Sequence, residues 1–213
     1  MNEKSTLAHL VLVRWEGAMP RKNRIASETG VYHFINRGVN KKRLFHQKED
    51  YRVYLALIAE HARDMDIQVY HYCLMSNHTH ILLRSPDMES LSRFGHYLQR
   101  RYAYYYSRTY HWPEQVFRKR FISIPIKKDS YLLECGRYIE RNPVRAKLVE
   151  DPKDFRYSSY GHYGLGFENK LITSNPLYED MGFSRNERML AYRDYIRTER
   201  PYEEIVDEKL APF

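Results

Sequence analysis

Residues 68–83 constrain the fold of this chain more tightly than any other stretch. Polar and apolar residues alternate from Gln68 to Met75, and a second alternating run starts at His78. Period-two alternation marks a half-buried strand, and a two-residue break at Ser76 and Asn77 suits a tight antiparallel hairpin. Residues i and i+2 of a strand share a face. His78 and His80 therefore point the same way, and the same alternation puts Leu74 and Leu82 in phase with them. Two adjacent imidazoles can hold one divalent cation. The plainer alternative is a surface pair or a hydrogen-bonded core pair, which a chain with 10 His will contain by chance.

The flanking patterns supply the remaining elements. Residues 31–37 read as a strand closed by Gly38, and residues 48–66 as a helix. Its apolar stripe is Tyr54, Leu57, Ile58, His61 and Met65, at the i, i+3, i+4 spacing. Strands follow at 67–74 and 78–84, a helix at 90–107, and a fourth strand at 117–126 with Phe117, Phe121 and Ile124 as apolar members. The order β-α-β-β-α-β predicts an α+β, ferredoxin-like (split β-α-β) antiparallel sheet with helices on one face. A further helix is expected from Asp129 to about Arg141, stopped by Pro143. Beyond Lys147 the chain is turn-rich up to Pro176, with one late helix near 186–198. The expected organisation is an appendage at 1–18, a domain at 19–147 and a C-terminal extension at 148–213.

Charge and composition narrow the partners. The 213 residues carry a formal charge of +8, with a pI near 9.3, which favours an acidic partner, most commonly nucleic acid. Between Arg93 and Lys128 nine Lys and Arg face Glu114 as the one acid, and the rings of Phe94, Tyr97, Tyr102, Tyr104, Tyr105, Tyr106, Tyr110 and Trp112 interleave with them. Cations can follow a phosphate backbone while rings stack on unpaired bases. A solvated helix face over an aromatic core is the alternative. The two cysteines, Cys73 and Cys135, sit inside apolar patterns and read as reduced, buried thiols, which suits the cytoplasm. No stretch is long enough for a membrane span, and the apolar run at 7–13 is too short for a signal peptide.

In the helix after the fourth strand, Leu132, Cys135, Gly136 and Ile139 form the buried stripe. Glu134, Tyr138 and Asn142, at i, i+4 and i+8, form a polar ridge at its margin. Such a ridge would offer a phenol and an amide oxygen to a metal held by His78 and His80. Against this, Tyr138 is one Tyr among 20, and tyrosines at the edge of a core are common.

Over about residues 19–163 the chain resembles the single-tyrosine HUH transposases, and among them the REP-associated tyrosine transposases of the IS200-like group. The resemblance rests on Met19-Pro20-Arg21-Lys22, the block from Tyr32 to Gly38, the block from Leu74 to Leu82, and the block from Tyr138 through Asn142-Pro143 to Ala146. Thr79 departs from the family pattern, which has a hydrophobic residue between the two histidines. The match at Met19 also suggests that residues 1–18 are an upstream start-site extension.

The resemblance implies a function. Family members cut and rejoin single-stranded DNA without a nucleotide cofactor, through a 5′-phosphotyrosine link. It implies that the further helix is the catalytic helix, with Tyr138 as nucleophile. His78, His80 and Asn142 become ligands of Mg²⁺ or Mn²⁺, and Glu134 a group that orients a ligand or water. Arg21, Lys22, Arg24, Asn36 and Arg37 would read the foot of a DNA hairpin. Arg93, Arg100, Arg101, Arg118, Lys119 and Arg120 would grip its backbone. It also implies DNA transposition on single-stranded or hairpin DNA, in the cytoplasm at the nucleoid, by a monomer, with a dimer as the alternative. Two other classes stay open. One is a non-catalytic single-stranded DNA- or RNA-binding module, in which rings and cations do all the work and the histidines are packing. The other is a replication or conjugation relaxase, which shares the histidine pair but places its tyrosine elsewhere.

Overall fold

In the computed structural model, residues 24–127 and 130–198 are described. Four strands, β1 (Val31–Arg37), β2 (Gln68–Met75), β3 (His78–Arg84) and β4 (Ile122–Pro125), form one antiparallel sheet in the order β2-β3-β1-β4. Helices α1 (Lys48–Asp64) and α2 (Met88–Tyr110) connect the strands as two crossovers. This is the split β-α-β arrangement expected from the sequence. β3 and β1 lie in the middle, where the sheet is buried on both faces.

The two faces carry separate cores. Phe34, Tyr72, Leu74, Ile81 and Leu83 pack with Tyr54 and Ile58 of α1 and Phe94, Leu98 and Tyr102 of α2. Val31, Ile35, Cys73, Met75 and Leu82 pack on the other face with Leu132, Cys135, Tyr138 and Ile139 of α3 (Ser130–Arg145). Leu74 therefore does not share a face with the histidines. The two-residue turn pairs Met75 with His78 and Leu74 with Thr79, so the parity of the numbering flips across the hairpin. His71, Cys73 and Met75 are the β2 residues in phase with the imidazoles.

Two expected boundaries move for local reasons. The fourth strand is shorter than expected. Phe117 makes one isolated bridge to Gly38, and residues 118–121 leave the ladder before β4 begins. Three consecutive exposed cations there supply no alternating face, while Phe121 turns in against α2. Its ring lies where a Cβ on Gly95 would be 2.0 Å away, so only glycine fits at that turn of the helix. The second difference is Pro143, which lies inside α3 instead of ending it. Proline removes the hydrogen bond that its nitrogen would give to the Ile139 carbonyl. The Asn142 amide substitutes, donating to the carbonyls of Tyr138 at 2.9 Å and Ile139 at 3.3 Å.

The extension covers the outer side of α3. It contains two short helices, α4 (Tyr160–Tyr163) and α5 (Pro176–Glu179), and the longer α6 (Arg185–Arg197). Buried between them is Glu140. Its carboxylate accepts from Ser159 Oγ at 2.5 Å and Tyr192 Oη at 2.8 Å, and lies 3.0 Å from His71 Nδ1 of β2. Arg137 and Arg141, also buried, donate to backbone carbonyls of Thr198, Ile196 and Arg197. Gly136 lets α3 press on β2, because a Cβ there would meet the His71 ring at 2.6 Å.

On the opposite face, Asp50 ties α1 to α2. Its carboxylate takes the backbone N–H groups of His46 and Gln47 at the start of α1, and the hydroxyls of Tyr105 and Tyr110 at 2.7 to 2.8 Å. Burial raises its pKa, but these four donors outweigh burial and hold it below the ordinary value of 3.8. The stability it contributes is present above that value and is lost as pH falls through the lower, folded-state pKa. Asp50→Ala removes the shared acceptor of two half-buried tyrosine hydroxyls and two backbone N–H groups at an exposed helix start, and should cost about 2 kcal/mol, read as a lower urea midpoint at pH 7 with an unchanged slope. The same midpoint in the variant and the wild type would contradict this role.

Candidate active site

His78 and His80 stand side by side on β3, with ring centroids 5.0 Å apart and planes at 86°. His80 faces Ile35 of β1 and Cys73 of β2, and His78 faces Arg37 and Met75. Thr79 points to the other face, where its hydroxyl lies 3.2 Å from Tyr54 Oη. A hydroxyl is thus accommodated at the position where the resemblance expects an apolar residue.

Hydrogen bonds set which ring nitrogens are open. Asn77 donates its amide to the Lys41 carbonyl at 3.3 Å, so its oxygen is the atom 2.7 Å from His78 Nδ1. An oxygen can only accept, which puts the proton on His78 Nδ1 and leaves Nε2 with its lone pair. His80 Nδ1 lies 2.8 Å from Nε2 of His33, a buried β1 residue on the same face. With His80 Nδ1 as the donor of that bond, its Nε2 keeps its lone pair as well. Such an outer partner orients a ligating imidazole. His33 was not singled out from the sequence, because only the β1–β3 register brings it to His80.

Electrostatics keep these rings neutral. Burial pushes His33 down to about 3 and, with the nearby Arg37 charge, His78 down to about 4. His80 is driven well below 6.5 by burial, then by His78, His33, Arg37 and Arg145. Neutral imidazole is the form that binds a cation. Arg37 and Arg145 also make the site electropositive, which disfavours a bare dication and favours one that arrives with an anion.

α3 brings the phenol to this pair. The Tyr138 ring lies 5.9 Å from the His80 ring and 5.9 Å from that of His33, edge-on to both. The Arg145 guanidinium stands 4.9 Å from its centroid. Tyr138 is only 2% exposed, and Asn142 is buried too. The sequence placed both at the margin of the core, a reading that took one side of α3 as solvent-facing. The extension covers that side instead. Because the Asn142 nitrogen is held by helix carbonyls, its oxygen is the atom left to accept or ligate. Glu134 turns to the extension, where Tyr195 Oη donates to it at 2.6 Å.

The expected DNA contacts divide. Arg21 and Lys22 lie outside the described residues. Asn36 is a correction. It is 1% exposed, donates to Tyr54 Oη and accepts from Gln99 Nε2, so it is a core amide with no reach to a base edge. Arg37 points to the imidazole face. Arg93, Arg100, Arg101, Arg118, Lys119 and Arg120 are all exposed. Among the described residues none of these six has a carboxylate partner. Arg24 stacks 3.9 Å over the Phe121 ring, and its pKa is lowered by burial and then by the Arg120 charge. The one cluster of three His, Cys, Asp or Glu ligand atoms among the described residues is Glu60, His61 and Asp64 on α1, across the sheet from Tyr138.

The buried rings yield a direct test. Nitrogen NMR should show His33, His78 and His80 neutral at pH 5.5, with His78 as the Nδ1–H tautomer. The unfolded chain takes up these protons first, so stability should fall as pH drops from 6.5 toward 4. Titration of any of the three rings near 6.5 in the folded protein would contradict the geometry.

Comparison with known proteins then places the chain. The pattern of the family described as IS200-like transposases matches residues 26–142, more than half of the sequence. The structure is similar to that of a REP-associated tyrosine transposase bound to a REP hairpin. The TM-score is 0.58 at 15% identity, over 73% of this chain and 94% of that one. A second structure, of a protein from Deinococcus radiodurans R1 named provisionally as a transposase, gives a TM-score of 0.39 at 15% identity, over 57% of this chain and 97% of that one. No curated protein matches significantly. No helix among the described residues is long and apolar enough to cross a membrane. The family match spans β1 through Asn142, the segment that supplies the imidazole pair and the phenol beside it: the chain belongs to the IS200-like transposase family.

Proposed function

We propose that this transposase cuts and rejoins single-stranded DNA beside a hairpin through a covalent link to Tyr138. The observation that carries the reading is the 5.9 Å approach of the Tyr138 ring to His80 within one chain, next to two imidazoles whose Nε2 atoms are open. Tyr138 Oη attacks a backbone phosphorus. An O–P bond forms, the bond to the 3′-oxygen breaks, and that oxygen leaves with a proton as a 3′-hydroxyl. A 3′-hydroxyl then attacks the 5′-phosphotyrosine, returns the proton to the phenol and reseals the strand.

A phenol has a pKa near 10, so the charge that develops at neutral pH must be stabilised. Arg145, against the Tyr138 ring, and Arg37, beside His78, are the chain's own cations for this task. The donor set fits a divalent cation: His78 Nε2, His80 Nε2 and the Asn142 oxygen would hold it. Mg²⁺ or Mn²⁺ there would neutralise a phosphate oxygen and orient the ester. Glu134 acts through the extension, fixing α3 by way of Tyr195. The hairpin partner is supported by the REP hairpin bound to the similar structure and by the exposed cations of α2 and residues 118–120, which have no carboxylate partner among the described residues.

Three outcomes test this reading. With a single-stranded hairpin and Mn²⁺, wild type should give a protein–DNA band on a denaturing gel. Tyr138→Phe should give none while binding the hairpin within about twofold of wild type. EDTA should abolish the band and Mn²⁺ restore it, and His78→Ala should not respond to the metal. Because phenol and imidazoles meet within one chain, mixing Tyr138→Phe with His78→Ala should restore no activity. A band from Tyr138→Phe, cleavage in EDTA, or rescue on mixing would each contradict its part of the proposal.

A further inference from the structure

The exposed side of α2 and residues 114–120 form an open cleft of about 520 Å³. Phe117 lies at its base, and Tyr104, Gln99, Arg100, Lys119 and Arg120 line it. Tyr104 is 67% exposed, although a large ring ordinarily gains by burial. Gln99 gives its amide nitrogen to Asn36 at 2.8 Å and to the Lys119 carbonyl at 3.1 Å. The side chain is thereby fixed, with its oxygen left as an acceptor.

Three cations, Arg100, Lys119 and Arg120, share this cleft with one carboxylate, Glu114, which forms no ion pair with any of them among the described residues, so positive charge is in excess. Arg24 adds a fourth cation close to Arg120. Such crowding is unfavourable in the free protein and is relieved by a polyanion. A volume of this size matches one or two nucleotides. Arg120 and Lys119 also line a smaller depression with Ile35, Arg37 and Ile122, on the imidazole face. The Arg118 nitrogen, bonded to the Arg37 carbonyl at 2.9 Å, ties this cationic ridge to the end of β1. The ridge thus has the candidate active site on one side and the cleft on the other.

We propose that this cleft is a subsite for an unpaired nucleotide of the DNA strand that crosses from the active site. Its base stacks on Tyr104, its phosphate meets Arg100, Lys119 and Arg120, and a base amine donates to the Gln99 oxygen. The inference rests on the strand-transfer reading for the path of the DNA. It adds a place where a base outside the hairpin stem is held, and a preference for bases with an exocyclic amine.

The test couples one ring to one base. Fluorescence anisotropy would compare wild type, Tyr104→Ala and Tyr104→Phe on a hairpin carrying single-stranded flanks, with each flanking base in turn replaced by an abasic site. Wild type should lose about tenfold in affinity at one abasic position. Tyr104→Ala should bind the intact oligonucleotide about tenfold more weakly and lose nothing further at that position. Tyr104→Phe should behave as wild type. Lys119→Gln should lower the salt dependence of log K by roughly 0.7. If no abasic position couples to Tyr104, or Tyr104→Ala binds as wild type, the subsite is wrong. Adduct formation by wild type on the same oligonucleotides, read on a denaturing gel, reports separately on strand transfer, so the two failures are distinguishable.

Discussion

The packing of α3 on one face of the sheet is the contact on which the rest of the structure depends. It brings a phenol from one element against imidazoles from another, and neither group could do the proposed chemistry alone. The inner side of α3 is held by apolar contacts of Leu132, Cys135 and Ile139 with Val31, Cys73 and Leu82. Its outer side is held by a buried carboxylate. Glu140 joins β2 through His71, the start of the extension through Ser159, and α6 through Tyr192. Breaking one partner of such a network leaves the others unpaired in low dielectric, so the network resists partial opening. The extension thus acts as a brace on the helix that carries the nucleophile.

The sheet and the imidazole pair were legible in the sequence because both follow from period two. His78 and His80 share a face whatever the rest of the fold does, and the β-α-β-β-α-β order leaves few topologies. What failed was parity across a turn. Leu74 seemed in phase until the two-residue loop paired Met75 with His78. The helical stripe of α3 was read correctly on its inner side and wrongly on its margin, since amphipathic reasoning assumes that the far side meets water. Arg137, Glu140 and Arg141 look like a solvated face and are buried, because their partners lie some 20 to 60 residues away in the extension. No local pattern announces that.

The remaining misses share this cause. His33 sits in an apolar run and gains its meaning only from the register that places it beside His80. Asn36, next to Arg37 and Gly38, looked like a base-reading amide. Strand alternation turns it to the helix face, where Tyr54 and Gln99 use both ends of its amide. Arg145, two residues past a helix-breaking proline, was expected beyond the end of the helix. The Asn142 amide satisfies the carbonyl that Pro143 leaves open, so the helix runs on and carries Arg145 over the Tyr138 ring. One asparagine therefore serves the helix with its nitrogen and leaves its oxygen to the site.

A plain nucleic-acid-binding module on this fold would need the cations and exposed rings but not a phenol held against two neutral imidazoles, with a third beside them. The measurement that separates the two is peptide mapping of DNA-reacted protein by mass spectrometry. Trypsin cuts after Arg137 and Arg141, so the nucleophile's peptide is Tyr138-Ile139-Glu140-Arg141. The account predicts a nucleotide linked through phosphate to Tyr138 and to none of the other tyrosines. A linkage mapped to a different residue, or a strand cut with no linked peptide, would contradict it.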